Sequence, residues 1–285
     1  LSTDDSAYIS ARAMLRYTTA NAEQTGHIDM NFGWKKWALL TSLTRSDFGN
    51  LRMGANANPA YGNYDWCRYY VVRHDSIDSV YTNSDPLVQK YTGYSQLDLN
   101  QKILFQPNEK ISHLLNVQYS TSTDIPRYDR LQQTSGGLPK YAEWHYGPQK
   151  RLFGSYTFAF NGDSSFCDHG KFILAFQKID QDRITRRLNN VNRNSQEEDV
   201  IVFSLNADFA REFAKQEQRY GLELTHNIVD SKATNIDILT GLISDAVTRY
   251  PDGGSTMSTA AIYISHSWEI SEKFILSDGI RFTMT

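Results

Sequence analysis

Two polar stretches of the sequence, residues 48–90 and 123–148, concentrate aromatic and arginine side chains. Tyr and Trp offer large contact areas with few rotamers to freeze, and Arg adds charge and a planar set of hydrogen-bond donors. Such side chains suit the recognition of an organic or anionic ligand. The candidate ligand-binding residues are Tyr61, Trp66 and Tyr69 in the first stretch and Arg127, Tyr128, Arg130, Trp144 and His145 in the second.

The same residues have a second interpretation, in which they pack the two stretches upon each other. We prefer this packing interpretation for Pro126, Arg127 and Tyr128. The two interpretations predict different things for a substitution, since a packing residue acts through the fold and a binding residue acts through the ligand.

The other residues that could do chemistry form no recognisable catalytic or metal site. The seven histidines are scattered without a zinc-site spacing. Cys167, Asp168 and His169 form the tightest cluster, which we interpret as an exposed turn. No Ser/His/Asp arrangement or glycine-rich phosphate loop stands out. We therefore predict that the chain is not an enzyme and holds no resident metal or cofactor.

Composition narrows the class of protein. A formal net charge of −3 without a basic stripe gives no indication of nucleic-acid binding. No apolar run approaches the roughly 18 residues that a membrane-spanning helix needs. A mean hydropathy of −0.52 remains compatible with a membrane β-barrel, whose strands alternate between apolar and polar residues.

Strict period-two alternation is the dominant pattern and predicts β-strands. In 201–209, for example, Ile201, Phe203, Leu205 and Phe209 alternate with Ser204, Asn206 and Asp208. About eleven segments follow this pattern, and they are predicted at 6–19, 26–34, 37–47, 91–106, 109–122, 149–161, 170–184, 199–213, 216–231, 257–269 and 272–284.

The connections between these segments alternate in length. Tight turns are expected at 35–36, 106–110, 214–215 and near 271, with a slightly longer one at 161–170. Long polar loops are expected at 48–90, 123–148, 185–198 and 230–256. Short turns at one end and long loops at the other are typical of an outer-membrane barrel, with the long loops extracellular. The fold class predicted is all-β, an antiparallel transmembrane β-barrel segment.

Two other classes of protein stay open at this point. A soluble β-sandwich, such as a glycan-binding β-protein, also has alternating strands, but its strands are usually about five or six residues long. A passive porin-type channel would share the barrel pattern. Eleven is an odd number, whereas complete single-chain bacterial barrels have an even number of strands. We therefore interpret the chain as a piece of a larger barrel.

The two cysteines test this topology. Cys67 falls in a long loop and Cys167 in a short turn, so the membrane layer of about 25–30 Å should separate them. A disulfide needs Cα atoms within about 7 Å, and we therefore expect both thiols to be free.

Several segments resemble TonB-dependent outer-membrane receptors. Residues 118–131, QYSTSTDIPRYDRL, and 141–151, YAEWHYGPQKR, resemble a loop of these receptors and the strand that follows it. Residues 219–227, RYGLELTHN, and the hairpin within 263–281 are similar to their barrel strands. The resemblance extends over essentially the whole chain, and its two loop stretches are the more specific part.

The resemblance implies a barrel of twenty-two strands, of which residues 1–285 would form a partial domain of about half. The family's N-terminal plug domain, its energy-coupling box and its final strands have no counterpart in this sequence. The intact receptor would import a scarce nutrient, such as a metal chelate, a cobalamin-like cofactor or an oligosaccharide. Its expected partners are outer-membrane lipid, the plug domain, the TonB energy-transducing protein and the ligand.

Charges predicted on the polar face of the strands have two interpretations. They could contact a plug or a substrate, or they could line a wall that faces water, which is the interpretation we prefer. These residues are Asp98, Lys102, Asp208, Arg219, Glu223 and Arg281.

Overall fold

The alternating segments form the strands of one large sheet. The structure, a computed structural model, describes residues 1, 3, 6–56, 60, 66–162, 166–251 and 253–285. The elements in chain order are β1 (Tyr8–Thr18), β2 (Glu23–Trp34), β3 (Trp37–Phe48), β4 (Tyr69–His74), β5 (Ile77–Thr82), β6 (Tyr94–Asn108), β7 (Ile111–Ser122), β8 (Ile125–Pro126), α1 (Tyr128–Leu131), β9 (Thr134–Ser135), β10 (Leu138–Pro139), β11 (Tyr141–Tyr146), β12 (Lys150–Asn161), β13 (His169–Arg187), β14 (Asn192–Phe213), β15 (Gln216–Asp237), β16 (Ile243–Asp245), β17 (Ser255–Ser271) and β18 (Phe274–Met284).

The long strands pair in sequence order as an antiparallel meander. Over the described residues, the order across the sheet is β1-β2-β3-β6-β7-β12-β13-β14-β15-β17-β18. Each of the eleven predicted segments corresponds to one of these strands, so the predicted fold class is confirmed. The soluble sandwich is wrong, because the long strands lie in one sheet rather than in two packed sheets.

The pairing register places apolar and polar side chains on opposite faces of the sheet. Ile28, Phe32, Leu99 and Phe203 are between 38% and 49% exposed on the apolar face. On β2 the polar face is much less accessible, and Glu23, Thr25 and Asp29 are between 4% and 7% exposed. A sheet whose exposed face is its apolar face is suited to lipid rather than to water.

An aromatic ladder crosses the apolar face close to the short turns. Ring centroids of successive members are 4.4 to 6.4 Å apart. An aromatic girdle of this kind marks a membrane–water interface. The ladder consists of Trp37, Phe105, His113, Phe158, Phe172, Phe209 and Tyr220.

The opposite edge of the apolar band is a row of carboxylates. Asp180, Asp199 and Asp230 lie directly opposite one another on β13, β14 and β15. On β14 the apolar side chains of this face run from Phe209 to Ile201. These eight steps span roughly 26 Å along the strand, or about 20 Å across the bilayer for a strand tilted by ~40°. The band is therefore close to the height that a membrane barrel needs.

Two of the predicted long loops are wrong in extent. The loop predicted at 185–198 is a short connection at 188–191, because β13 continues to Arg187 and β14 begins at Asn192. Similarly, β15 continues to Asp237 and takes up the first part of the loop predicted at 230–256. Beyond the apolar band both faces of the sheet meet water, and neither face needs apolar side chains. The hydrogen bonds between the strands therefore continue where the apolar alternation of the sequence has ended.

The other two predicted loops carry secondary structure of their own. The segment between β3 and β6 contains the hairpin β4–β5, and the segment between β7 and β12 contains α1, the hairpin β9–β10 and β11. In the part of the chain that the structure describes, no helix is long and apolar enough to cross a bilayer.

No disulfide joins the two cysteines, as expected. The interpretation of the Cys167 cluster as an exposed turn is wrong for Cys167 itself, because this side chain is only 2% exposed. Cys67 precedes β4 in the segment between β3 and β6, and Cys167 lies in the turn between β12 and β13. The absence of a bond between them agrees with their positions at opposite ends of the strands.

The face assignment predicts the effect of charge at two adjacent residues of β14. Leu205→Arg places a cation at the centre of the apolar band and should lower the free energy of unfolding by about 2–4 kcal/mol. Ser204→Arg, on the polar face, should change it by no more than about 0.5 kcal/mol. Urea titration of the complete protein folded into phospholipid vesicles measures both values. Equal losses for the two variants would contradict the assignment.

Candidate functional site

The two loops that carry the candidate ligand-binding residues meet at the long-loop end of the sheet. We call the segment from Gly49 to Gly93 the first outer loop and the segment from Thr123 to Gln149 the second outer loop. The amide of Gln132 in the second donates a hydrogen bond to the side-chain oxygen of Gln89 in the first. Gln89 is only 1% exposed, so this contact lies inside the junction.

A cavity of about 640 Å³ lies between the loops. One side is formed by Trp66, Arg68 and Tyr69 of the first outer loop. The other side consists of Asp129, Leu131, Gln132, Gln133, Thr134, Gly137 and Pro139 of the second. This volume lies within the range of roughly 300–1,000 Å³ that is usual for small-molecule sites. We call it the loop cavity.

A smaller cavity of about 120 Å³ adjoins the loop cavity and shares Tyr69, Leu131 and Gln132 with it. Tyr128 and Tyr141 line it from the second outer loop, and Tyr70 and Tyr91 line it from the first. The rings of Tyr70 and Tyr91 meet edge to face with centroids 5.6 Å apart. This aromatic contact therefore stabilises the side of the smaller cavity that the first outer loop forms.

Arg127 is held firmly inside the second outer loop. It donates two hydrogen bonds of 2.7 Å to the carboxylate of Asp129 and one of 2.9 Å to the hydroxyl of Tyr146. Its guanidinium also lies 5.0 Å from the ring centroid of Trp144. Donation of these hydrogen bonds to Asp129 raises the pKa of Arg127, and the same hydrogen bonds lower the pKa of Asp129. Arg127 thus connects Asp129, Trp144 and Tyr146 within the second outer loop.

Five of the candidate residues fall into two groups: those that line a cavity and those that pack inside a loop. Trp66 and Tyr69 line the loop cavity, and Tyr128 lines the smaller one. Arg127 and Trp144, which is 8% exposed, pack inside the second outer loop. A ligand-binding role for each of them stays a prediction.

Of the remaining described candidates, Arg130 lies at the surface, whereas His145 is mostly buried, with a side-chain exposure of 19%. Arg130 is half-exposed and 3.7 Å from Asp129. His145 lies 3.6 Å from Asp124. Tyr61 lies outside the described residues.

The cavity also includes residues that the sequence pattern did not single out. Gln132, Gln133 and Thr134 line the loop cavity. Their sequence signal is weak, since amides and hydroxyls are common in any polar loop. Only the meeting of the two loops brings them to a common surface.

A buried ion-pair network anchors the first outer loop to the sheet. The guanidinium of Arg186 in β13 contacts the carboxylate of Asp78 in β5 with an Nη1–Oδ2 distance of 2.7 Å. Both side chains are almost inaccessible, at 1% and 0% exposure. Arg73 and the backbone N–H of Asn189 also donate to Asp78. Hairpin β4–β5 is therefore fixed to a strand more than 100 residues away.

The same network reaches the second outer loop through Glu143 in β11. Arg186 donates to Glu143 at 2.8 Å, and Arg193 in β14 donates to it at 2.6 Å. β11 also pairs with the end of β13. One arginine thus connects both loops to the extended part of the sheet.

Opposing effects act on the acidity of Asp78. Burial acts to raise its pKa, but hydrogen bonds from Arg186, Asn189 and Arg73 outweigh burial and hold the pKa below the ordinary value of 3.8. The stabilisation from this carboxylate is therefore fully present above pH 3.8 and is lost as the pH falls through the lowered pKa.

Charges on the polar face of the sheet are largely paired within the wall. Glu223 contacts Arg281, and Asp208 accepts a hydrogen bond from the hydroxyl of Tyr263. Asp98 accepts one from Ser120, and Arg219 contacts Glu217. These partners support the interpretation of a polar, water-facing wall, while a contact with a plug or a substrate stays a prediction.

Comparison with solved structures identifies proteins of similar fold. The fold is similar to that of the copper transporter OprC, with a TM-score of 0.71 at 11% sequence identity over 97% of this chain and 36% of OprC. It is also similar to the siderophore receptor PirA from Acinetobacter baumannii, with a TM-score of 0.56 at 12% identity over 99% of this chain and 39% of PirA. The chain therefore has the fold of part of an outer-membrane β-barrel wall. In a transmembrane β-barrel the polar face of the sheet lines the lumen and the apolar face meets lipid.

The similarity concerns the fold, and it covers only part of each of these two proteins. The chain spans less than two fifths of the length of OprC or PirA. No model of a protein family matches the sequence, and no curated protein matches it either.

Loss of the ion pair between Asp78 and Arg186 should loosen the first outer loop specifically. Asp78→Asn removes one of the two carboxylate charges that compensate buried Arg186 and should cost about 3–5 kcal/mol locally. Cys67 lies in the same loop and is 6% exposed, so its rate of reaction with a maleimide should rise more than tenfold. Cys167, in the opposite turn, serves as an internal reference.

Asp75→Asn is the matched control, because Asp75 is exposed in the same hairpin. The wild-type protein should show the same increase only when the pH is lowered below 3.8 before a brief neutral labelling pulse. Similar labelling of Cys67 in the Asp78 and Asp75 variants would show that the ion pair does not hold the loop.

Proposed function

We propose that this chain is part of the barrel wall of a TonB-dependent receptor in the bacterial outer membrane, which imports a scarce nutrient. The observation that carries the proposal is a loop cavity at the outer end of a barrel wall. A passive pore needs a wall and a lumen, but it does not need two loops closed around a ligand-sized cavity. The proposal makes the chain a receptor component rather than an enzyme.

The partners follow from the two faces and the two edges of the sheet. Membrane lipid covers the apolar face, and a plug domain fills the lumen against the polar face. Among the described strands, β1 and β18 are each paired on one side only. Further strands of the same receptor complete the barrel at these edges, because an unpaired edge within lipid is strongly unfavourable. The energy transducer TonB acts on the plug.

The nutrient belongs to one of three classes: a metal chelate, a cobalamin-like cofactor or an oligosaccharide. OprC is named as a copper transporter and PirA as a siderophore receptor, which supports uptake of a nutrient in general. Loops generally vary more between homologous proteins than the strands that they connect, and they often carry binding residues, which supports the loop cavity as the place of ligand recognition.

Energy-dependent uptake tests the proposal. Cells that make the complete receptor are given a radiolabelled ferric tricatecholate, cyanocobalamin or maltotriose, with and without a protonophore. At least one probe should accumulate above its external concentration, and the protonophore should abolish this accumulation. Entry of all probes only to equal concentration, unchanged by the protonophore, would indicate a passive channel instead.

Ligand titration tests the place of recognition. Trp66→Ala should weaken binding of the accumulated probe by roughly thirtyfold, equivalent to about 2 kcal/mol for a buried aromatic anchor. Arg127→Ala and Trp144→Ala should also weaken it by loosening the second outer loop. Asn100→Ala, on the lumen wall, is the control and should bind like wild type. Wild-type affinity in all three loop variants would move the site away from the loop cavity.

A further inference from the structure

One side of the loop cavity carries aromatic rings. Trp66 and Tyr69 lie there, opposite the residues of the second outer loop. A flat ring can cover the apolar C–H face of a sugar ring and leave the hydroxyl groups at its edge free for hydrogen bonds. Aromatic surface of this kind binds a neutral molecule without any need for charge.

The other side of the loop cavity carries uncharged polar groups. Gln132 and Gln133 present amides, and Thr134 presents a hydroxyl. An amide contains both a donor and an acceptor, and so does each hydroxyl group of a sugar. Amides therefore pair with hydroxyl-rich ligands in either direction, whereas a metal chelate with several negative charges is better matched by an excess of cations.

Two charged residues, Asp129 and Arg68, line the described part of the loop cavity. Asp129 is bound by Arg127 through two hydrogen bonds of 2.7 Å. Arg68 is exposed to water. A polyanion transferred into this cavity would lose its hydration and contact a single lining cation, which does not match several negative charges. A neutral ligand has no such penalty.

The same chemistry continues on the lumen wall below. The second outer loop leaves the sheet after Ser122 and returns at Lys150. At its root lies a cavity of about 210 Å³ that includes Gln96, Ser120 and Gln149. Gln149 donates a hydrogen bond of 3.0 Å to Gln181 there, and Arg151 is bound to Gln177. Amides and hydroxyls thus line both the loop cavity and the wall beneath it.

We infer that the loop cavity binds a neutral, hydroxyl-rich ligand, namely a short oligosaccharide. The inference rests on the proposed receptor function and narrows it to one substrate class. Trp66 and Tyr69 provide the stacking surface, and Gln132, Gln133 and Thr134 hydrogen-bond the hydroxyl groups. The amides at the root of the loop then receive the same groups as the ligand moves towards the lumen.

Binding measurements on the complete receptor test this inference. The detergent-solubilised receptor is applied to an array of neutral oligosaccharides, and separately titrated with a ferric tricatecholate and with cyanocobalamin. At least one oligosaccharide should bind, and its affinity should change less than twofold between 50 and 500 mM salt, because a neutral ligand is not subject to ionic screening.

Three substitutions identify the site. Trp66→Ala should lower oligosaccharide affinity at least tenfold, whereas Tyr250→Ala, an exposed aromatic outside the cavity, should leave it unchanged. Gln133→Lys should lower oligosaccharide affinity at least fivefold. The same change would raise the affinity of a bound polyanionic chelate, so its sign distinguishes the two substrate classes even if Trp66→Ala folds poorly.

The outcomes separate this inference from the proposed function. If no oligosaccharide on the array binds, or if binding weakens steeply with salt, the substrate class is wrong. Energy-dependent uptake of the chelate or of cyanocobalamin would then leave the receptor function intact. Passive entry of all probes would overturn the receptor function together with the inference.

Discussion

The backbone of a strand that crosses lipid must find every hydrogen-bond partner within the sheet, and this constraint governs the rest of the molecule. Lipid offers no donor or acceptor, so the ladder between strands has to be continuous. β14 and β15 satisfy it over their whole length, from Asn192 opposite Asp237 to Phe213 opposite Gln216. The ladder also determines the faces, because successive side chains point to opposite sides.

Register follows from the same constraint. A slip of one residue between two strands would turn Phe203 and Leu205 towards the lumen and bring Ser204 and Asn206 into lipid. The aromatic ladder near the short turns and the carboxylate row at the other edge of the band place the sheet at one depth. Few other positions of the sheet relative to the bilayer are compatible with both edges.

The outer loops depend on the part of the ladder that rises above the lipid. β13 ends at Arg187, well beyond the carboxylate row at Asp180. This extension carries Arg186, which anchors the first outer loop through Asp78 and the second through Glu143. A buried arginine of this kind is stable only while its carboxylates remain in place. The geometry of the loop cavity is therefore coupled to β13, which does not line the described part of this cavity.

The strands were predictable from the sequence because the two solvents impose different side chains on the two faces. The predicted loop at 185–198 failed for the complementary reason: above the band both faces meet water, and polar residues such as Glu197 and Glu198 conceal a strand that the ladder still requires. Hairpin β4–β5 was missed because β4 contains the pairs Tyr69-Tyr70 and Val71-Val72 rather than an alternation of apolar and polar residues.

The candidate site was predictable only in part. Aromatic and arginine content pointed to the two loops that form the loop cavity, and Trp66 and Tyr69 line this cavity. Composition could not distinguish these residues from Arg127 and Trp144, which have the same chemistry but pack inside a loop. Gln132 and Gln133 belong to no recognisable sequence pattern. They line the loop cavity only because segments distant in sequence meet there.

The central claim, that one face of the sheet meets lipid and the other meets water, is tested most directly by a cysteine scan of β14. Single cysteines are introduced from Ile201 to Asp208 in the complete receptor, with the native cysteines replaced, and the protein is placed in phospholipid vesicles. A water-soluble maleimide should label the cysteines at 202, 204, 206 and 208, and brominated lipid should quench fluorophores attached at 201, 203, 205 and 207. Labelling without this alternation, or with the opposite alternation, would contradict the account.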